Sequence, residues 1–414
     1  MNRTVDEIQN KISERKAKVL TASEFKTLVD RDGKDAVKDV DVVTCGTMGV
    51  MSGTMAIMTV PVTGPGVFKR ADRMTLNGIQ VNVGPCPNES LGIVDCIVYG
   101  TAKRDMSYGG GHLFRDLVAG KKVDVEVESE GVTYRNSVTL SDIPFARMVT
   151  TRGAFKNYTC FVNGSDSTAK TIFSGPEGLR GNLAEASVSG CGELNPLQND
   201  PDMRHIVPGS AVLLNGSPGI VIGTGTRSSA EKPNLSMAAD MHSMDPRYMG
   251  GIRTSEGPEC VSSVAVAIPV TDDRTIRDLS IRDGDAKLPL ADVRDRKPVH
   301  STTYASVWNG GTSIMVNMES CIHCTSCTAD VRCPMDARPS GGIDSDLCIS
   351  CGACVANCRG NVFAADMGSI DYGGTEVPIR MRQSSRAKAE ELCSILKSRI
   401  EDGDWFVRCY DGGL

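Results

Sequence analysis

Residues Cys321–Cys358 read CIHCTSCTADVRCPMDARPSGGIDSDLCISCGACVANC, and their spacing decides how the chain divides. Two runs stand out: Cys321-x2-Cys324-x2-Cys327-x5-Cys333-Pro334 and Cys348-x2-Cys351-x2-Cys354-x3-Cys358. Two residues between cysteines let a tight turn aim successive thiolates at one metal centre. Zinc sites also use CxxC pairs, but as two pairs around one tetrahedral ion. A triplet at this spacing, repeated, over-supplies such an ion and suits the corner of an iron–sulfur cube.

In two-cluster ferredoxins the last cysteine of each run crosses to the other cluster. On that pattern one [4Fe–4S] cluster takes Cys321, Cys324, Cys327 and Cys358. The second takes Cys348, Cys351, Cys354 and Cys333. Two [4Fe–4S] clusters are therefore the expected cofactors. The first run has five residues before its fourth cysteine where three is common, and Arg359 replaces the usual proline after the second. Neither departure removes a ligand. His323 reads as a surface residue whose charge could tune a cluster potential.

The other eight of the 16 cysteines are dispersed, six in the first 260 residues and two near the C-terminus. No run of about 18 apolar residues is present to span a membrane. The N-terminal MNRTVDEIQNKISERKAKVL lacks the apolar stretch of a secretory signal. A cytoplasmic protein without a membrane partner is expected. In that reducing compartment, crowded cysteines mean metal or redox chemistry, not a disulfide framework. The net charge of −6 and 5% aromatic content exclude a general nucleic-acid binder. No helix-turn-helix pattern or basic face suggests a nucleic-acid regulator.

With 414 residues and 40% apolar content, the chain can bury more than one core. The expected fold is an α+β (mixed, loop- and glycine-rich) large domain over residues 1–300. A ferredoxin-like two-[4Fe–4S] module over 301–370 and a C-terminal helical tail over 371–414 follow. Thr21 and Glu24 form a capping-box signature for an early helix. Strands are expected at Val40–Thr44, Ile79–Val83, Gly92–Tyr99, Val123–Val127, Ala211–Leu214, Gly219–Ile222, Val261–Ile268 and Val299–Val316. Weak helical signals lie at Gly111–Val118 and around Met203. Thr271–Lys297, dense in Asp and Arg, reads as a linker or a polar surface excursion. Ser384–Ile400 reads as an amphipathic helix with Ala387, Leu392, Ile395 and Leu396 on one side. Met48, Met51, Met55 and Met58 recur at spacings of three and four and read as a packing face.

Five segments carry a family resemblance: DVVTCGTM (Asp41–Met48), Leu76–Gly78 with the preceding Lys69, YGGGHLFRDLVAGK (Tyr108–Lys121), LNPLQNDP (Leu194–Pro201) and MDPRY (Met244–Tyr248). Through them the first ~270 residues resemble the homocysteine-biosynthesis sulfurtransferases of methanogens. The fused cysteine module is most similar to the branch called methanogenesis marker 16 metalloprotein. The resemblance implies an archaeal enzyme that makes a thiol from a small anionic aldehyde and a sulfide or persulfide donor. It implies a low-potential electron donor protein as partner. Sulfoacetaldehyde to coenzyme M is the first expectation and homocysteine from aspartate semialdehyde the alternative. The homocysteine branch carries a cysteine just after a GT[FM]xxM stretch and another in a TDCYP-like segment. This chain has neither, reading Gly46–Gly53 without a cysteine and SEGVTYRN at Ser129–Asn136. That loss argues for other sulfur-carrying residues and a different substrate.

The candidate sulfur carriers are Cys45, Cys86 and Cys191, each set among glycines or beside a family-like segment. Backbone amides in glycine-rich loops can lower a thiol pKa. The alternative for each is an inert buried thiol. Cys96, Cys160 and Cys260 lie in apolar runs and are expected in the core. His112, after Gly109–Gly111, is either a general acid or a helix-capping histidine. His205 and His242 have weaker cases. Lys69, Arg70 and Arg73 are the candidate substrate-anion site, against the alternative of a solvent-facing basic turn. A non-catalytic electron-delivery or maturation subunit is the competing function, and a homo-oligomer is allowed by either.

Overall fold

In the computed structural model, which describes residues 2–155, 158–308 and 313–408, Thr21 caps a helix as its sequence requires. Its Oγ1 accepts from Glu24 N, and the Glu24 carboxylate accepts from Thr21 N, so two orphan donors are satisfied. The helices are α1 (Val5–Ser13), α2 (Ala22–Asp32), α3 (Gly110–Val118), α4 (Pro196–Asn199), α5 (Asp273–Leu279), α6 (Thr328–Arg332), α7 (Ala353–Asn357) and α8 (Arg386–Glu401). Among the described residues no helix is long and apolar enough to cross a membrane.

Strands dominate. The first half contributes β1 (Val19–Thr21), β2 (Val42–Val50), β3 (Thr54–Pro61), β4 (Arg73–Leu76), β5 (Ile79–Val83), β6 (Ile93–Tyr99), β7 (Val123–Ser129), β8 (Val132–Val138), β9 (Phe145–Phe155), β10 (Cys160–Val162) and β11 (Ala186–Val188). The second half contributes β12 (Ala211–Leu214), β13 (Ser217–Thr224), β14 (Asn234–Asp240), β15 (Gly250–Thr254), β16 (Gly257–Pro269), β17 (Lys287–Asp292), β18 (Pro298–Thr303), β19 (Met315–Val316), β20 (Phe363–Ala364), β21 (Ser369–Tyr372) and β22 (Thr375–Arg382).

Among the described residues these form a 14-stranded sheet, a six-stranded sheet and a small β19–β20 pair. The large sheet runs β1-β2-β16-β12-β13-β14-β9-β3-β6-β5-β4-β7-β8, with β15 paired to β16. The six-stranded sheet runs β18-β17-β10-β11-β22-β21. The mixed α+β class expected from the sequence is what the chain adopts.

β2 is the strand on which the site is built. It pairs antiparallel with β16, Cys45 opposite Val266 and Met48 opposite Ser263. Val42–Gly49 are all buried because α8 covers the strand. Gly46 and Gly49 permit that approach. A Cβ on Gly46 would stand 2.7 Å from Cys393 Sγ and 2.8 Å from the Ala389 carbonyl oxygen; one on Gly49 would stand 2.7 Å from Ser384 Oγ. The cover continues outward through Leu392, Leu396 and Ile400, which join Ile8 and Ile12 of α1 in one apolar cluster.

Several expectations are corrected. Thr271–Lys297 is no linker: it supplies α5 and β17, and buries Ile276, Leu279, Leu288 and Leu290. Alternating burial within charged sequence hid those apolar residues. The Met203 region forms turns, and the nearby helix is the short α4. On α8 Ala387 is exposed, while Lys388 and Ala389 are buried. The methionine spacing is helical, yet Met48 and Met58 are buried on strands β2 and β3, and Met51 is buried in the segment between them. The C-terminal stretch expected as a helical tail also contributes β22, which pairs parallel with β11. Of Val299–Val316, the ends form strands and residues 309–312 lie outside the described residues.

Candidate functional site

Three thiols meet around the buried middle of β2. Cys45 lies on the strand, Cys393 on α8 covers it, and Cys191 follows β11. All three are buried. Cys191 Sγ lies 3.6 Å from the Met48 carbonyl oxygen and 3.8 Å from that of Ser385. The Met48 carbonyl also accepts from Ser385 N at 3.0 Å. Ser384 Oγ accepts from Gly190 N at 2.7 Å, pinning the Cys191 loop to the segment that enters α8.

The expectation of a loop-activated thiol is corrected for Cys45. Cys45 sits in a strand, and burial pushes its thiol up to about 12. Burial also raises Cys191, and places Cys393 well above its ordinary value. In this conformation all three are neutral at pH 7, so none is a nucleophile until water or a ligand reaches it. Lys26 is the cation that opposes the shift of Cys45. It is 1% exposed, and its Nζ donates to Asn199 Oδ1 at 2.8 Å and to the Leu279 carbonyl at 2.6 Å. Burial brings its ammonium down to about 8.

Cys86 is exposed in the loop after β5, outside this thiol group. Lys69, Arg70 and Arg73 also face solvent. Arg70 is 63% exposed and 4.0 Å from Glu89; Arg73 is 58% exposed and 3.8 Å from Glu128. The structure thus places the basic patch as the solvent-facing turn that the sequence left open. Of the histidine readings it displays capping. His112 Nδ1 accepts from Gly109 N at 3.3 Å, and the ring stacks on Tyr108 at 5.6 Å. Its Nε2 is buried without a partner among the described residues, and burial lowers its pKa to about 4. His205 bonds Thr275, and His242 bonds Asp240 and the Ile143 carbonyl. Cys96, Cys160 and Cys260 are buried, as expected.

The cysteine-rich region folds so that Cys333, Cys348, Cys351 and Cys354 line one small apolar cavity. Backbone amides of Ala337 and Ser350 donate to Cys333 Sγ and Cys348 Sγ, each at 3.3 Å. Cys321, Cys327 and Cys358 pack around the neighbouring Ala329, Val362 and Phe363 cluster. Cys324 is half-buried, and His323 Nδ1 lies 3.9 Å from Cys321 Sγ. Among the described residues no three His, Cys, Asp or Glu side chains converge as a single-ion site. A four-iron cube is held at its corners, one thiolate per iron, so its ligands line a wall. The four-thiol cavity, its apolar lining and its N–H···S bonds fit that group chemically.

The cavity's residues pack against β2 at Met48. Cys333, Met335, Ile349, Cys351 and Ala353 pack with Met48, Ile252 and Val261. Arg253 N donates to the Pro334 carbonyl at 2.8 Å, and Arg382 N to the Cys351 carbonyl at 2.9 Å. Three residues past Arg382, the Ser385 carbonyl faces Cys191 Sγ.

A family model described as homocysteine biosynthesis enzyme, sulfur-incorporation, matches residues 17–407. The chain belongs to this family. It is 47% identical over 412 residues to an uncharacterized protein of Methanothermobacter thermautotrophicus, covering 98% of this chain and 95% of that one. It is 42% identical over 399 residues to an uncharacterized protein of Methanocaldococcus jannaschii, covering 95% of this chain and all of that one. It is 31% identical to the L-aspartate semialdehyde sulfurtransferase of the same organism, over 77% of this chain and 64% of that one. No solved structure matches.

Within this sulfur-incorporation family member, the family-like segments converge. DVVTCGTM is the body of β2, and LNPLQNDP supplies Asn199, which holds Lys26. The α3 segment meets MDPRY where Arg115 Nε donates to the Pro246 carbonyl at 3.1 Å. Met51–Gly53, which carries no cysteine, lies beside Glu259, a buried carboxyl raised by desolvation and hydrogen-bonded by Ser52. Sequence reasoning missed Cys393 and Lys26. The signal for Lys26 was present: with Ala22 and Phe25 it falls on the buried stripe of α2. Cys393 had none beyond its place on the apolar side of α8.

Proposed function

We propose that this protein incorporates sulfide into a small anionic aldehyde and reduces the adduct to a thiol. One aldehyde, one hydrogen sulfide, two electrons and two protons give one thiol and one water. The carbonyl oxygen leaves as that water, and the carbon–sulfur bond forms in its place. Two [4Fe–4S] clusters are proposed on the two cysteine sets, and the chemistry they supply when bound is one-electron transfer from a low-potential donor protein. The observation that carries the reading is the link between the four-thiol cavity and the buried thiols. The Cys351 carbonyl is bonded to Arg382 N, and the chain runs directly to Ser385 against Cys191. Cys191 is the proposed sulfur-carrying thiol. When a persulfide donor supplies sulfane sulfur, Cys191 carries it as a persulfide and two further electrons are consumed as the S–S bond breaks; when free sulfide is the source, it adds to the carbonyl directly and forms no bond to Cys191. Met48 and Ser385 orient its Sγ, and the apolar surroundings exclude water.

Aspartate semialdehyde is the first substrate to test, since two relatives are named L-aspartate semialdehyde sulfurtransferase. The missing family cysteines favour a second reading, sulfoacetaldehyde converted to coenzyme M. Anaerobic protein with reconstituted iron and sulfide is incubated with sulfide, a low-potential reductant and each aldehyde, and thiols are measured by mass spectrometry. Homocysteine supports the first reading and coenzyme M the second. No thiol from either aldehyde overturns both and leaves the electron-delivery role.

A further inference from the structure

A cavity of about 220 Å3 opens between the loop Ser174–Arg180, strands β11 and β22, and helices α6 and α7. We infer that this cavity binds a small organic molecule through a single anionic group, a carboxylate or sulfonate, with Arg380 as its principal donor. The inference rests on the second reading of the proposed function, sulfoacetaldehyde, in naming the occupant as an anionic aldehyde, and it weighs against an amino-acid aldehyde in this cavity. The cavity itself is argued from its own residues.

Three arginines line it, Arg180, Arg332 and Arg380, against two glutamates, Glu177 and Glu185. Four of these five charges are already matched. Arg180 Nε donates to Glu185 at 2.8 Å, with Arg180 N donating to the same carboxylate at 2.7 Å. Arg332 is ion-paired with Glu177. Arg380 has no ion pair among the described residues, and its Nε is buried without a hydrogen-bond partner. That Nε is closed off from the cavity, so the terminal guanidinium nitrogens of Arg380 are the donors that a ligand oxygen would meet. The planar fork of arginine suits a carboxylate or sulfonate oxygen pair.

The same inventory sets the ligand class. One positive charge is in excess, which matches one negative charge on the ligand. An amino-acid zwitterion would also need an acceptor for its ammonium, and both glutamates are engaged. The ligand is therefore a simple monoanion. Its placement also fits: one wall is Ala353, Ala356 and Asn357, within and beside the second cysteine run, and the other includes Ser187 and Met381. Ser187 Oγ accepts from Gln383 Nε2 at 3.0 Å, and Gln383 lies on the segment joining Cys351 to Cys191. The cavity thus abuts the proposed electron route from the side. The exposed basic patch of Lys69, Arg70 and Arg73 offers no such enclosure.

The test is isothermal titration of the full-length anaerobic protein with sodium isethionate, sodium propionate and L-homoserine. Saturable binding of isethionate or propionate is expected, with L-homoserine at least tenfold weaker. Arg380→Gln should weaken the anion at least tenfold, Arg380→Lys less, and Arg73→Gln not at all. Circular dichroism and iron content confirm that each variant is folded. Failure of both anions to bind overturns the inference, as does binding untouched by Arg380→Gln or lost in Arg73→Gln. Stronger binding of homoserine overturns the monoanion assignment. Arginine-dependent binding without thiol formation from any aldehyde would sink the proposed function and leave the site standing.

Discussion

Cys45, Cys191 and Cys393 show how strongly burial governs a thiol. Each is driven toward the neutral form, whereas Cys86 stands in water. Brief treatment of the native protein with iodoacetamide at pH 7.5 should therefore alkylate Cys86 at least tenfold faster than these three, read by peptide mass spectrometry. Equal labelling would show that the β2 pocket opens freely. Lys26 makes a second prediction. Its folded pKa of about 8 lies below the usual lysine value, so the unfolded chain binds more protons between about pH 8 and 10.5. Its contribution to stability therefore rises with pH across that window. The unfolding free energy of wild type minus that of Lys26→Met should increase from pH 8 to 10 by an amount on the order of 2 kcal/mol. A flat difference would mean that Lys26 keeps its charge at no cost.

Among the elements, the contact of β2 with α8 is set by what is missing from the strand. Gly46→Ala would force a Cβ against a backbone carbonyl as well as Cys393 Sγ, and a carbonyl cannot swing aside like a side chain. Urea unfolding should report a loss of about 1–3 kcal/mol. A neutral result would place α8 farther from the strand than this contact requires. The methionine run belongs to the same lesson. Residues three and four apart share a face only if the chain is helical; here Met48 and Met58 lie on strands that do not pair with each other, Met48 opposite Ser263 and Met58 opposite Cys96, and each is buried by its own neighbours. The charged stretch Thr271–Lys297 departs from its linker reading for a related reason. Asp and Arg dominate its composition, but burial follows position, and Leu288 and Leu290 alternate inward.

At the scale of the whole molecule, backbone hydrogen bonds tie the cysteine-rich region to β15 at Pro334 and to the end of β22 at Cys351. β22 is itself a strand of the six-stranded sheet, so the segment entering α8 is held between that sheet and the large one. Cys351→Ser should remove one of two proposed four-iron clusters, lowering iron by roughly half per chain, from about eight to about four atoms. The thermal midpoint should fall as well, because Cys351 belongs to the apolar cluster that joins the cysteine-rich region to Met48. Unchanged iron content would refute the ligand assignment.

The cysteine spacings, the Thr21–Glu24 cap and the alternating apolar strands could be read directly because each depends on residues close in sequence. The family resemblance likewise lay in short contiguous segments. Folding in three dimensions was needed to bring Cys393 and Lys26 to Cys45, to leave Lys69, Arg70 and Arg73 in solvent, and to turn Arg380 to a cavity without an acid partner. Those outcomes depend on which distant segments enclose a side chain and exclude water from it. Enclosure, unlike periodicity, leaves no local mark in the order of residues.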